Sequence, residues 1–255
     1  MPRILRTIVP RIRKSVQERG LFVSLYRSAL LPIHLLREYL ETRRINRGRQ
    51  GPSDFDRERG VETDGDLEGW TYLSDLEIPS SNWIHGNNYA PIEPGRFQAI
   101  LASLALKFED FVFVDFGSGK GRALLLAAEF PFRKIVGVEF SPELHAAAKT
   151  NLAADRGFRR RCDSVEPVCM DFLEFSLPPT PSVLFFFNPC DEVVLAKMVR
   201  KIAQSIEASP RELYVVYVAP SATKERLLDT AECLRKVVRN GDQNFCVYAA
   251  CRDRS

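Results

Sequence analysis

The chain has 255 residues, of which 45% are hydrophobic and 27% are charged, values close to the averages of folded globular proteins. These values exclude a peptide-sized scaffold and wholesale disorder. The longest uncharged apolar stretch near the N-terminus, residues 28–36, contains Pro32 and is far shorter than the roughly 18 residues at which a membrane span is suspected. The sequence therefore predicts one large folded domain with an appendage and no membrane-spanning helix.

The net charge of +3 is unevenly distributed along the chain. Residues 1–50 hold 12 Lys and Arg against 3 Glu, whereas residues 51–255 hold 24 basic against 30 acidic residues. Three interpretations of the basic segment are open: a helical extension packed on the main domain, a contact with lipid or nucleic acid, or an organelle presequence. One Ser and one Thr among the first 17 residues argue against a presequence.

The cysteine and histidine patterns constrain the compartment and the metal chemistry. Six cysteines occur without a Cys-x-x-Cys pair, and the first residues do not read as a secretory signal sequence, so we expect none. We therefore expect a cytoplasmic protein, with peripheral membrane association as an alternative through the basic segment. The three histidines show no His-x-His or His-Glu-x-x-His spacing, so we expect no metal site.

The chain divides into three predicted regions. Residues 1–50 form a basic helical extension that Pro32 splits, and residues 51–94 are rich in Gly, Pro, Asn and Ser, which predicts a linker and a lid over a substrate or cofactor. Residues 95–255 show alternating elements. These are a helix at 97–106, a strand at 111–114, a helix at 122–130, a strand at 135–138, a helix at 142–152, strands at 168–170 and 183–187, a helix at 193–208, a strand at 213–218, a helix at 223–231, and strands at 234–238 and 245–251.

This pattern predicts an α/β fold. The near-continuous apolar strands at 111–114 and 183–187 indicate a mostly parallel sheet with helices on both faces. Asn240-Gly241 between the final two strands predicts a tight turn that makes the last strand antiparallel. The seven predicted strands would form one mixed sheet.

A glycine-rich turn follows the first predicted strand, in the sequence Asp115-Phe-Gly117-Ser-Gly119-Lys-Gly121. Backbone N–H groups and the positive end of the next helix would face the crevice at this sheet edge. A phosphate loop fails here because Lys120 precedes Gly121 rather than Ser or Thr, and the dinucleotide fingerprint fails by one residue. The pattern resembles motif I of the class I S-adenosylmethionine-dependent methyltransferases; a tight turn without a ligand is the alternative.

The resemblance implies a Rossmann-like fold and S-adenosyl-L-methionine as cofactor. It implies that Asp115 approaches the cofactor ammonium and that Glu139, after the second strand, accepts from both ribose hydroxyls. Asp171 would accept from the adenine amine and Phe172 would offer an apolar contact, with helix capping as the alternative for Asp171. The backbone of the turn would lie against the cofactor at four residues: Gly117, Ser118, Gly119 and Gly121.

The fourth strand ends in Asn188-Pro189-Cys190, which partly matches an element that this family uses to methylate nitrogen. The resemblance implies that the side-chain carbonyl of Asn188 and a backbone carbonyl near Pro189 accept from a substrate N–H, with Asn188 also close to the cofactor. Cys190 departs from the family pattern, and an ordinary Asn-Pro turn is the alternative. The resemblance makes Asn188 and Tyr89 the candidate catalytic residues.

Tyr89-Ala-Pro91 resembles a Tyr-x-Pro element that precedes motif I in a bacterial branch of the family, distantly similar to Dot1-like and mitochondrial-type lysine methyltransferases. Where those relatives often carry Thr or Ser, this chain has Ile92. The predicted reaction is methyl transfer to a nitrogen of a protein or small-molecule amine. The alternatives are an NAD-type oxidoreductase and a non-enzymatic cofactor-binding module that docks on anionic surfaces through residues 1–50.

Overall fold

The computed structural model describes residues 53–65, 85–156 and 159–251, together with residues 71, 73, 76, 78–80 and 82. The predicted basic extension at residues 1–50 lies outside the described residues, so its helical structure and its contact with an anionic surface stay predictions. Among the helices that the structure describes, none combines the length and the hydropathy needed to span a bilayer.

A seven-stranded sheet forms the centre of the molecule. Its strands are β1 Val112–Phe116, β2 Lys134–Glu139, β3 Val165–Cys169, β4 Ser182–Phe187, β5 Leu213–Val218, β6 Leu234–Asn240 and β7 Phe245–Ala250. Their spatial order is β3-β2-β1-β4-β5-β7-β6. Strands β1 to β5 are parallel, and β7 is antiparallel to both of its neighbours. The predicted Rossmann-like fold, a seven-stranded and mostly parallel mixed sheet with an antiparallel last strand, is confirmed.

The helices connect these strands and cover the sheet. They are α1 Asp54–Arg59, α2 Pro94–Ala102, α3 Arg122–Ala127, α4 Pro142–Ala154, α5 Glu192–Ala208 and α6 Ala222–Asp229, with a short 3₁₀ turn at Phe108–Asp110. Helix α5 begins where the Asp191 side chain accepts from two backbone N–H groups. Its buried residues recur at helical spacing, so one face of α5 packs on the sheet.

Several predicted boundaries were wrong, most clearly those of α2 and β3. Helix α2 begins at Pro94 rather than at residue 97 and ends at Ala102, because Pro94 suits the first helical turn and the Glu93 side chain caps the helix start. Strand β3 is Val165–Cys169 rather than 168–170. It is an edge strand whose residues are only partly buried, so its hydrophobic pattern is weak, and Pro167 is tolerated there.

The core has two layers, one on each face of the sheet. On one face, residues of α2 and α3 pack against alternate residues of the central strands, and Phe97 contacts Phe113 and Phe185 edge to face. On the other face, α5 and α6 cover a second cluster that includes Phe116 and Phe186. All five residues of β1 are buried, as expected for a strand covered on both sides.

The strand order places the predicted site residues at one edge. β1 lies between β2 and β4, so the chain connection changes direction beside the carboxyl end of β1. Ligands of open α/β sheets bind at such switch points. Asp115, Glu139 and Asn188, which lie at or directly after the ends of β1, β2 and β4, therefore face the same crevice region.

Candidate active site

The glycine turn after β1 is shaped by two close approaches. Gly117 and Gly119 have φ angles of 82° and 53°, a region that L side chains rarely adopt. A Cβ at Gly119 would lie 2.1 Å from the ring of Tyr89, and one at Gly117 would lie 2.8 Å from the Cβ of Pro189. Both positions therefore require glycine for backbone conformation and for space.

Two carboxyl groups are buried beside this turn. Asp115 and Glu139 are each 3% exposed. The Glu139 carboxylate accepts from the backbone N–H of Gly119 and from that of Ser141, each at 2.9 Å. Burial raises the pKa of Asp115 to about 8, and the charge of Glu139 adds to the rise. Burial also raises the pKa of Glu139 to about 7, against the lowering effect of its backbone hydrogen bonds.

These pKa values predict that the unliganded protein loses stability as the pH rises. In the unfolded chain Asp115 loses its proton near its ordinary pKa of 3.8, whereas the folded state keeps it until about pH 8. The unfolded state therefore binds fewer protons over this window, so the free energy of unfolding falls with pH. We expect a decrease of at least about 1 kcal/mol between pH 5 and 8.5 that is smaller in Asp115→Asn, measured by urea unfolding. If the free energy of unfolding falls equally with pH in the native protein and in Asp115→Asn, the raised pKa of Asp115 is contradicted.

A cleft opens at this sheet edge. It contains about 680 Å³ of empty space, including the open mouth. Five of the predicted site residues, together with Tyr89, form part of its wall: Gly117, Glu139, Asp171, Phe172 and Asn188. Four other predicted residues do not contribute to the wall: Asp115, Ser118, Gly119 and Gly121. The ring of Tyr89 covers Gly119.

The segment before α2, residues 85–90, lines the cleft and is called the roof segment. The backbone N–H of Asn87 donates to the carbonyl of Pro189 at 3.0 Å, and its side-chain amide donates to the carbonyl of Asn188 at 2.6 Å. The His85 carbonyl accepts from the backbone N–H of Asp191, and the two side chains pair at 2.5 Å. The roof is therefore bonded along the chain that follows β4, the side on which an acceptor was predicted.

Tyr89 presents its ring rather than its hydroxyl to the glycine turn. The hydroxyl donates to the carbonyl of Thr63 at 2.6 Å, and the backbone of Tyr89 pairs with Thr71 in both directions. Burial raises the pKa of this hydroxyl far above its ordinary value, so it stays protonated. A catalytic role for Tyr89 stays a prediction; what the structure shows is a ring that closes the turn.

Asp171 and Phe172 occupy the far wall of the cleft. Asp171 accepts from the hydroxyl of Ser80 and the amide of Asn82, each at 2.7 Å, and from the backbone N–H of Leu173 at 2.9 Å. The carboxylate thus connects two residues of the predicted lid to the end of β3, and it also makes a local turn contact of the capping kind. Phe172 supplies an apolar wall, and an adenine contact for this pair stays a prediction.

The Asn188 side chain is held by a lysine that is not among the predicted site residues. Its backbone has a φ of 45°, and its side-chain Oδ1 accepts from Lys224 Nζ at 2.6 Å and from the Tyr217 hydroxyl at 3.5 Å. Lys224 lies on α6 and is 6% exposed. The Asn188 side-chain oxygen and the Pro189 carbonyl were predicted to accept from a substrate N–H, but in the structure each already accepts from a protein donor, Lys224 and Asn87 respectively.

A second missed feature is the buried arginine at the start of α3. Arg122 donates to the Thr63 hydroxyl at 2.6 Å, to Asp64 at 2.8 Å, and to Asp56 and Ser53 at 3.0 Å. These partners belong to the segment around α1, part of the region predicted to be a linker and a lid. Thr63 in turn accepts from Tyr89, so Arg122 connects this segment through Thr63 to the ring over the glycine turn.

Comparisons with known proteins give fold likeness at low identity. No protein-family model and no curated protein sequence matches the chain. Among solved structures, an RNA methyltransferase from Salinibacter ruber in complex with S-adenosyl-L-homocysteine is 22% identical, over 65% of this chain and 95% of its own, with a TM-score of 0.43. A geranyl diphosphate C-methyltransferase from Streptomyces coelicolor A3(2) is 12% identical, over 63% and 78% of the two chains, with a TM-score of 0.43.

A mitomycin 7-O-methyltransferase is 19% identical over 62% of this chain, with a TM-score of 0.44. The match spans 54% of that protein, so this chain corresponds to about half of its length. These likenesses describe the fold alone. The assignment of chemistry therefore depends on the geometry of the cleft.

Proposed function

We propose that this chain is an S-adenosyl-L-methionine-dependent methyltransferase. The observation that carries the proposal is the pair of buried carboxyl groups, Asp115 and Glu139, at the ends of adjacent parallel strands beside a glycine turn of positive φ. Buried acids with raised pKa values are stabilised by a cationic ligand. The cofactor carries an ammonium and a sulfonium, which matches this requirement.

The cleft residues fit the nucleoside part of the cofactor. Glu139 lines the wall and has lone pairs left for hydroxyl donors, while Phe172 and Leu144 add apolar surface. The amino-acid part would lie toward Asp115, behind the ring of Tyr89. We therefore expect the roof segment to shift when the cofactor binds.

The bound cofactor would supply an electrophilic methyl group, and the chain would hold the acceptor atom in place against it. Methyl transfer needs the acceptor atom in line with the sulfonium carbon and a wall that excludes water. Asn188 and the roof segment border the place where the acceptor would approach. The Asn188-Pro189 element favours a nitrogen of a protein or small-molecule amine, whereas the contact between Lys224 and Asn188 favours an oxygen.

The placement in the bacterial branch similar to Dot1-like enzymes rests on Tyr89-Ala-Pro91 and remains part of this proposal. Residues 1–50 would add a docking segment for an anionic surface. Deleting them should remove binding to anionic vesicles and leave cofactor affinity unchanged.

Calorimetric titration of the full chain with S-adenosyl-L-homocysteine tests the proposal. We expect saturable binding by the native protein, no binding of NAD, and an affinity about tenfold to a hundredfold lower in Asp115→Ala, because a charged hydrogen-bond partner is removed. Asp110→Ala is the matched control, since its exposed carboxyl pairs only with Lys107 at the surface among the described residues. A folded native protein that binds NAD but not S-adenosyl-L-homocysteine would sink the proposal.

A further inference from the structure

We propose that Lys224 is a positioning residue that turns the Asn188 amide so that its NH₂ group, not its carbonyl, faces the acceptor, and that the site consequently methylates an oxygen. The inference deepens the proposed function and rests on it. It concerns the class of acceptor: a hydroxyl, phenolate or carboxylate rather than an amine.

The orientation of the amide follows from the chemistry of its partner. An ammonium group donates hydrogen bonds and cannot accept them, so the Asn188 atom that lies 2.6 Å from Lys224 Nζ must be the oxygen. The Tyr217 hydroxyl donates to the same oxygen at 3.5 Å. Lys224 and Tyr217 do not line the cleft, whereas Asn188 does. The oxygen therefore points away from the cleft and Nδ2 is left for a ligand.

The neighbouring carbonyls are also engaged. Asn87 donates through its side chain to the carbonyl of Asn188 and through its backbone to the carbonyl of Pro189. A substrate N–H would have to displace the roof segment to reach either oxygen. The side-chain amide of Asn188, in contrast, makes no hydrogen bond through Nδ2 within the part of the chain that the structure describes.

A donor in this position suits an oxygen acceptor. A hydroxylate or carboxylate oxygen has more than one lone pair, so it can accept from Nδ2 with one and attack the methyl carbon with another. An amine nitrogen has a single lone pair and loses it as a nucleophile if it accepts. The buried ammonium behind the amide strengthens Nδ2 as a donor through hydrogen-bond cooperativity.

The transfer itself balances without another reactant. The bond between the acceptor oxygen and the methyl carbon forms while the bond from that carbon to the sulfonium sulfur breaks, and the electron pair stays on sulfur. A phenolate or carboxylate arrives without its proton, and a hydroxyl releases its proton to water. The products are a methyl ether or methyl ester and S-adenosyl-L-homocysteine.

The test uses the 255-residue chain, S-adenosyl-L-methionine with a ¹³C-labelled methyl group, and cell lysate split into protein and small-molecule fractions. We expect the ¹³C shift of the product to be that of a methoxy group. Lys224→Met should lower kcat/KM for the acceptor that gives this product about tenfold or more, because without the lysine the Asn188 amide is free to rotate. Lys224→Gln, which keeps a donor without the charge, should restore part of it, and neither change should alter the affinity for S-adenosyl-L-homocysteine more than about twofold.

Asn188→Asp gives the second arm, because it replaces the NH₂ donor by an acceptor of the same shape. If the acceptor is an oxygen, the Asn188→Asp protein should lose methyl transfer. If the acceptor is an amine that donates its N–H, methyl transfer should be kept or improved. An N-methyl product, or a Lys224→Met protein with native kcat/KM, overturns the inference and leaves the methyltransferase proposal standing. Failure of the folded native protein to bind S-adenosyl-L-homocysteine overturns both.

Discussion

Gly119→Ala should abolish measurable binding of S-adenosyl-L-homocysteine and lower the free energy of unfolding by about 2–4 kcal/mol. The φ of 53° at this position costs an L side chain about 1–2 kcal/mol. The new methyl would also lie 2.1 Å from the Tyr89 ring, which must move away. Displacing the ring breaks its hydroxyl bond to Thr63 and distorts the N–H that Gly119 donates to Glu139. Urea unfolding and calorimetric titration measure the two effects.

Two further proteins separate the causes. Gly241→Ala lies in the turn between β6 and β7, where the nearest atom to an added Cβ is Arg239 Nη1 at 3.4 Å, and it should match the native protein within about 0.5 kcal/mol. Gly119→Ala combined with Tyr89→Ala removes the overlap between the new methyl and the ring but keeps the backbone strain. Tyr89→Ala should therefore cost less stability in the Gly119→Ala protein than in the native protein. Additive losses, or a single Gly119→Ala variant with native affinity, would show that the ring does not press on the turn.

The fold could be predicted because its signals are local. Strands buried on both faces, such as those at 111–114 and 183–187, read as unbroken apolar runs whatever they pair with. Helix starts such as Ser141-Pro142 carry their own capping residues. Helix α1 was missed although its signal was also local: Ser53 caps the helix by accepting from the N–H of Asp56, and Gly60 ends it in the left-handed region.

The site could be predicted only in part, because half of it is made by contacts between distant segments. The acids lie at the ends of β1 and β2, and the glycine turn directly follows β1, so each is positioned by a strand beside it in the sequence. Lys224 reaches Asn188 across 36 positions, and nothing around residue 224 distinguishes it from an exposed lysine in a first helical turn. Arg122 likewise meets partners 58 to 69 positions away.

Arg122→Met should lower the free energy of unfolding by about 3–5 kcal/mol, because it removes one member of a buried charge cluster and leaves the others unpaired. Side-chain exposure is 3% for Arg122 and 1% for its partner Asp56. The guanidinium also covers the ring of Phe55 at 4.9 Å. Loss of these contacts should release α1 from the start of α3 before the sheet unfolds, so chymotrypsin should cleave after Phe55 under native conditions. Urea unfolding measures the first effect and limited proteolysis the second.

Arg57→Met is the matched control. Arg57 lies in α1, the helix that contains Phe55, and it pairs with Asp54, but these two side chains are 63% and 82% exposed. A surface pair of this kind contributes at most about 1 kcal/mol, and its loss should not expose Phe55 to the protease. Arg122→Met combined with Asp56→Asn removes opposite charges together, so it should cost less than the sum of the single changes. If Arg122→Met lowers the free energy of unfolding no more than Arg57→Met does, apolar packing holds the segment around α1. The hydrogen bonds from Arg122 through Thr63 to Tyr89 then do not contribute to stability.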